Sequence, residues 1–248
     1  MDLGLHGKRV IVTGASKGIG KAIARTFLDE GARVMICARG EEVLTATAEE
    51  LAAHGEVHHR RADMAVHDDV TGLVAAAVDA LGGLDIVVSN VSAFGGADFR
   101  SSFEIDIESV QLLIRSALDH LPDHRDANIV CIGSRAGGIG IPWMPAYAAV
   151  KAATVSMTTS LALELARRGI RVNTVSPGDI KFPGGTWEQV ETANPKLHEG
   201  ILRENPLRRF GRPEEVADVV AYVASPRASF VTGTNVHVDG GATKHLQL

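Results

Sequence analysis

Thr13-Gly14-Ala15-Ser16-Lys17-Gly18-Ile19-Gly20 lies between a short strand-like run, Lys8 to Val12, and a helix-like stretch from Ile19 to about Glu30. Strand, glycine-rich turn and helix in that order make a cradle for a pyrophosphate. Glycines let the backbone approach the phosphates, and the helix N-terminus attracts the anion. A glycine triplet alone is weak evidence, but its place after a strand and before a helix makes it much stronger. Gly14, Ser16, Lys17, Gly18, Ile19 and Gly20 are therefore the first candidate dinucleotide contacts.

Outward from this turn, strand-like and helix-like stretches alternate along the chain. β-rich runs occur at Arg9–Thr13, Arg33–Cys37, Val57–Arg61, Leu84–Ser89, Ala127–Gly133, Arg171–Ser176 and Asn235–Val238. Helix-like segments lie between them at Ile19–Glu30, Glu41–His54, His67–Leu81, Phe103–Leu121, Tyr147–Arg168 and Pro213–Ala224. Such alternation implies right-handed crossovers and a parallel sheet covered on both faces. Seven strands with a dinucleotide turn after the first predict a single-domain α/β Rossmann fold over residues 1–248, doubly wound in the order 3-2-1-4-5-6-7. One irregular stretch, Pro177 to about Phe210, is rich in Pro, Gly and charge. It follows the sixth strand at the sheet's carboxyl edge, so it reads as a substrate lid at about 180–210.

Bulk properties narrow the class. The chain has 248 residues, near-average apolar content and a formal net charge of −5, which gives no basic footprint for nucleic acid. No apolar run approaches the roughly 20 residues of a membrane span, and the N-terminus lacks a signal-peptide layout. Cys37 and Cys131 both sit in strand-like runs, so they read as small core residues in a reducing cytoplasm.

The chemistry is suggested further along. Tyr147 and Lys151 are four residues apart, about one helical turn, so phenol and ammonium share a helix face. A nearby ammonium favours the ionised form of a phenol, and such a phenol can exchange a proton with a substrate oxygen. Ser134, thirteen residues before Tyr147, ends a strand and can hydrogen-bond the same oxygen. Carbonyl and alcohol chemistry of this kind needs a hydride carrier, which the first turn is built to hold.

Together these residues resemble the short-chain dehydrogenase/reductase family over nearly the whole chain. The matching motifs are Thr13–Gly20, Asp63, Asn90, Ser134, Tyr147-x-x-x-Lys151 and Pro177-Gly178. Gly211-Arg212-Pro213-Glu214-Glu215-Val216-Ala217 and Val238-Asp239-Gly240-Gly241 also look like the family, especially 3-oxoacyl-carrier-protein reductases and their relatives. The resemblance implies an NAD(P)(H)-dependent oxidoreductase with Tyr147 as general acid/base. Lys151 would tune Tyr147 and hold the nicotinamide ribose, while Ser134 would orient the carbonyl. Asp63 and the Met64 backbone would address the adenine, with a helix N-cap as the other reading of Asp63. A homotetramer is implied as well.

The end of the second strand bears on which cofactor binds. An acidic residue there would hydrogen-bond the adenosine ribose and repel a 2′-phosphate. The chain instead reads Val34-Met35-Ile36-Cys37-Ala38-Arg39-Gly40. Arg39 offers a forked cation suited to phosphate, and Lys17 can supply a second. NADP(H) is expected over NAD(H).

Three departures from the family pattern stand out. Ser89-Asn90-Val91-Ser92 replaces the usual Asn-Asn-Ala-Gly, so Ser92 takes a glycine's place near the nicotinamide ribose. Asp106 falls twenty-eight residues before Ser134, where many members carry a catalytic Asn. Either a backbone carbonyl there suffices and Asp106 can substitute, or the amide's N–H donors matter and a carboxylate cannot replace them. Asp106 can also pair with Lys151 and alter the tuning of Tyr147. Finally, no Thr is evident shortly after Pro177-Gly178. Ile180 can still offer its backbone, and Lys181, Phe182 and Trp187 become lid candidates, Trp187 equally a packing residue.

Other constellations carry less. His58 and His59 face opposite ways in a strand, and Pro122 interrupts the helical spacing of His120 and His124, so no metal is expected. No Gly-x-Ser-x-Gly elbow surrounds Ser134. Arg135 can bind an anionic substrate group or stand as a loop charge, and Trp143 and Met144 can line an apolar wall. The expectation is an NADP(H)-dependent ketone reductase or alcohol dehydrogenase acting on a small carbonyl or alcohol. For the substrate, a 3-oxoacyl thioester is one reading and a steroid, sugar, polyketide or other secondary alcohol the other; an alternative of another class is a catalytically idle NADP(H)-binding protein.

Overall fold

The structure is a computed structural model that describes residues 2–94, 98–123 and 126–244. Seven strands form one sheet: β1 Arg9–Thr13, β2 Arg33–Ala38, β3 Val57–Arg61, β4 Ile86–Ser89, β5 Asn128–Ile132, β6 Arg171–Pro177 and β7 Asn235–Val238. Their order is β3-β2-β1-β4-β5-β6-β7, and every pairing is parallel. The order reverses between β1 and β4, which opens a crevice at the carboxyl ends of those strands.

The central strands β2, β1 and β4 are apolar on both faces because helices cover both. Val10, Val12, Val34, Ile36, Ile86 and Val88 belong to one buried cluster; Ile11, Met35, Cys37 and Val87 belong to the other. This strict alternation is the period of two expected of a pleated strand. On the first face lie α1 Gly18–Asp29, α2 Glu41–Leu51 and α9 Pro213–Ala224; on the second lie α3 His67–Leu81, α5 Ser109–Ala117 and α6 Pro145–Leu165. Helix α1 buries Ile23, Ala24, Phe27 and Leu28 on one stripe and packs beside α9. Full burial of one such Phe or Leu contributes about 1.5–3 kcal/mol.

Most element ends fall within a few residues of the sequence expectation, as fraying helices and strands do. Two regions differ in kind. The single helix expected over Phe103–Leu121 starts earlier, as α4 Phe99–Phe103, then widens into a π turn over Glu104–Glu108 before continuing as α5. The Ser109 hydroxyl donates to the Ile105 carbonyl at 2.7 Å within this turn. The stretch expected to be irregular, Pro177 to Phe210, carries two helices, α7 Thr186–Ala193 and α8 Pro195–Glu204. Pro195 fixes the break between them, since it opens α8 and cannot continue α7. Of the residues weighed in the sequence, His124 lies outside the described residues.

Candidate active site

The glycine-rich turn is held from three sides. Ala15 donates its N–H to the Cys37 carbonyl at 3.0 Å, tying the turn to β2. The Thr47 hydroxyl donates to the Ser16 carbonyl at 3.0 Å. The Asn90 amide donates to the carbonyls of Thr13 at 3.0 Å and Gly14 at 3.1 Å, so the end of β4 braces the same turn. A Cβ at Gly20 would lie 2.3 Å from the Gly14 carbonyl oxygen, which is why glycine is needed there. Gly18 has φ +56°, a left-handed conformation that glycine adopts freely. Helix α1 then begins with no acidic side chain in its first turn, leaving its N–H groups available to an anion.

At the far end of the crevice, β2 ends at Ala38 and exposes Arg39, while Lys17 is exposed on the turn. Neither is ion-paired among the described residues. Ala62, Asp63 and Met64 complete this end. The helix N-cap considered for Asp63 belongs to Val66 instead. Asp63 closes a local turn before α3, its carboxylate accepting from the Ala65 N–H at 3.0 Å, while its own N–H donates to Asp69 at 2.8 Å.

The second half of the site gathers Ser134, Tyr147, Lys151 and Asp106. Lys151 and Tyr147 share a face of α6, and the Lys151 Nζ lies 5.8 Å from the Tyr147 ring centroid. Lys151 donates to the Ile132 carbonyl at 3.0 Å and pairs with the Asp106 carboxylate at 3.0 Å. Both side chains are sealed from solvent, 4% and 1% exposed. The π turn sets Asp106 inward, and its second oxygen accepts from the Ala93 N–H at 3.0 Å. Ser134 stands just beyond β5 in extended conformation, its oxygen accepting from the Ala136 N–H at 3.1 Å. Gly137 brings this loop against α6, because a Cβ there would meet the Lys151 backbone at 2.8 Å. Phe94 meets the Tyr147 ring edge-on at 5.2 Å.

The chain after β6 closes the crevice from above. Gly178 donates to the Val238 carbonyl at 2.9 Å, and its bare Cα faces Asp239, whose Cα would lie 2.7 Å from a Cβ. Ile180 bridges to Gly211 through the Asp179 carbonyl and the Lys181 N–H, so the bridge does not use the polar groups of Ile180 itself. The Phe182 ring lies over Gly18, where a Cβ would come within 2.6 Å of it. Trp187 packs at 5.4 Å on Phe210 and also lines the crevice.

Two sequence expectations are corrected. Lys181 does not line the crevice; it pairs with Glu191 of α7 at 2.6 Å. Arg135 is neither a free anion receptor nor a loose loop charge, because it is paired with Asp179 at 3.0 Å. Asp179, Thr47 and Phe94 were not singled out from sequence. Asp179 stood in the quoted Pro-Gly-Asp-Ile run, but its partner is far away in the chain and no local pattern marks it.

These parts line one cleft of about 920 Å³, the upper end for ligand sites. Gly14, Ser16, Lys17, Ile19, Gly20, Arg39, Asp63, Met64 and Asn90 lie along its dinucleotide half; Ser134, Tyr147, Lys151, Pro177, Gly178 and Ile180 lie along the other. Gly18 borders it under Phe182, and Asp106 stands behind Lys151. Glycines, a free helix N-terminus and two exposed cations fit a phosphorylated dinucleotide.

A family model described as enoyl-(acyl carrier protein) reductase matches residues 14–243. L-fucose dehydrogenase from Mus musculus is 38% identical over 253 residues, which cover 95% of this chain and 88% of the relative. A 3-oxoacyl-[acyl-carrier-protein] reductase from Vibrio cholerae is 32% identical over 251 residues, covering 96% and 98%. The structure of Pseudomonas aeruginosa RhlG with NADP at its active site superposes with a TM-score of 0.88 at 31% identity, covering 98% of each chain. The chain belongs to the short-chain dehydrogenase/reductase family, oxidoreductases that act on CH–OH and C=O groups.

Proposed function

We propose that the protein is an NADP(H)-dependent ketone reductase or secondary-alcohol dehydrogenase with Tyr147 as its general acid/base. The observation that carries this reading is the convergence of Ser134, Tyr147 and the buried Lys151–Asp106 pair on the cleft that starts at the glycine-rich turn. Bound there, the nicotinamide supplies hydride to a carbonyl carbon or takes it from an alcohol carbon. Tyr147 gives its phenolic proton to the carbonyl oxygen in reduction and receives the alcohol proton in oxidation. Ser134 donates a hydrogen bond to the same oxygen, where negative charge develops. Lys151, fixed by Ile132 and Asp106, presents its charge to the phenol and holds the ribose.

Arg39 and Lys17 hold the 2′-phosphate of NADP(H), and no carboxylate stands at the tip of β2 to repel it. The backbone of Ile180 serves the carboxamide, and Asp63 with Met64 the adenine. Residues 180–210 act as a lid hinged after Gly178. A homotetramer is supported by exposed Leu163 on α6 and Phe230 before β7. A cytoplasmic location is supported by Cys37 and Cys131, which are buried as free cysteines and not joined in a disulfide. A 3-oxoacyl thioester remains the second substrate class, favoured by the Vibrio relative.

The test is NADPH consumption against a ketone panel that includes a 3-oxoacyl thioester, with Tyr147→Phe as control. Turnover in the wild type that the control loses is expected. Tight NADPH binding without turnover on any ketone would favour an idle cofactor-binding protein.

A further inference from the structure

We infer that the Arg135–Asp179 pair is a hydroxyl-reading subsite that selects polyhydroxylated ring substrates. The inference rests on the oxidoreductase reading above. Arg135 follows Ser134 directly, and Asp179 follows Pro177-Gly178 directly, so two different loops deliver the pair to the cleft. The two side chains meet at 3.0 Å and are 15% and 11% exposed. They are enclosed, and both border the cleft, while Asp179 also borders a smaller cavity lined by Asn205, Arg209 and Asp239.

The composition of the pair decides what it can take. A guanidinium only donates hydrogen bonds, and an ionised carboxylate only accepts them. Side by side they match a hydroxyl, which accepts from Arg135 and donates to Asp179; two neighbouring hydroxyls can divide the task. An anionic group is not matched, because Asp179 already neutralises Arg135, and Glu204 and Asp239 stand near enough to act on Asp179 as well. A hydrocarbon is not matched either, since laying it over the pair removes water without replacing its hydrogen bonds.

The rest of the cleft wall points the same way. Phe94, Trp143, Met144 and Trp187 line it beside Tyr147. Such surfaces take the C–H face of a ring, while the charged pair takes hydroxyls at its edge. With the reacting carbinol at Ser134 and Tyr147, the hydroxyls read by Arg135 and Asp179 are others on the same ring. In the oxidative direction, the carbinol C–H leaves as hydride to the nicotinamide. Its O–H proton goes to Tyr147, and the neighbouring hydroxyls are unchanged.

The experiment compares cyclohexanol, cyclohexane-1,2-diol and an aldohexose as substrates with NADP+, in the wild type and in Arg135→Met/Asp179→Leu. Replacing both partners with apolar side chains leaves no unpaired buried charge, so this double variant folds where a single one risks failing. In the wild type, kcat/KM for the diol is expected to exceed that for cyclohexanol by about tenfold or more, with the hexose higher still. In the double variant the ratio is expected to fall to near one. A wild-type ratio near or below one, or a ratio the double variant keeps, overturns the subsite while turnover itself leaves the oxidoreductase reading standing. If none of the three turns over, the ketone panel tests that reading, and calorimetric binding of the three compounds to the NADP+ complex decides the subsite separately. Tighter binding of the hydroxylated compounds that the double variant loses supports it; equal binding overturns it.

Discussion

The ammonium of Lys151 lies 3.0 Å from the carboxylate of Asp106, in a region from which both side chains exclude solvent. The cation that faces the Tyr147 ring therefore shares its field with an anion behind it. Where an amide would leave that charge undivided, this chain places a carboxylate. The π turn at Glu104–Glu108 and the Ala93 N–H hold it there.

Asp106→Asn tests the effect of that sharing. Removing the carboxylate leaves the Lys151 charge to act on the phenol alone, which favours phenolate. The pH profile of kcat/KM for alcohol oxidation is expected to change while turnover survives. An unchanged profile would remove Asp106 from the relay. Asp106→Ala is expected to lower stability by about 3–5 kcal/mol, because it leaves the buried ammonium without its anion.

In the proposed reading, cofactor choice rests on Arg39 and Lys17, both exposed and both lining the cleft. Arg39→Asp replaces a donor fork with a charge that repels a 2′-phosphate. The ratio of kcat/KM for NADPH over NADH is expected to fall by roughly ten- to a hundredfold. In the wild type the ratio is expected to shrink as salt is raised, since exposed charges are screened. A ratio that neither change moves would mean that other groups read the phosphate.

What was legible in the sequence was what repeats or what is local. Val10-Ile11-Val12, Val34-Met35-Ile36-Cys37 and Ile86-Val87-Val88 are apolar without a break, and strands covered on both faces need that. The turn at Gly14–Gly20 and the one-turn spacing of Tyr147 and Lys151 are local geometry, so they read directly. The π turn did not read, because its cause includes one hydroxyl, Ser109, bonding back to Ile105. Helix α7 was missed because it buries no residue, so no apolar stripe marks it. The pairing of Arg135 with Asp179 joins two loops that only the fold brings together.

Phe182 offers a third test. Its ring covers Gly18, where a Cβ would come within 2.6 Å, and a Cβ at Gly185 would lie 3.0 Å from the same ring. The ring thus clamps the segment after β6 onto the glycine-rich turn. Phe182→Ala is expected to speed NADPH release about tenfold, as measured by stopped-flow fluorescence. Gly18→Ala is expected to weaken cofactor binding through both the ring contact and its positive φ. Combining the two should cost less than the sum, because the ring contact is already gone. Additive effects would show that Phe182 and Gly18 act independently.

Glu215 links this segment to α9 and gives the chain an acid-sensitive joint. Hydrogen bonds from Arg209, then from the Arg212 N–H at 2.8 Å, hold its carboxyl down to about 2 against the opposing effect of burial. Its folded value lies below the unfolded one, near 4.3. The stabilisation is therefore complete above the unfolded value and is lost as pH falls through the folded value. Glu215→Gln keeps the size of the side chain and removes the charge. The Tm gap between wild type and variant is expected to stay level from pH 7 to about 5, then close between about 4.5 and 2. A gap that stays constant across that range would assign the contribution of Glu215 to packing, not to its charge.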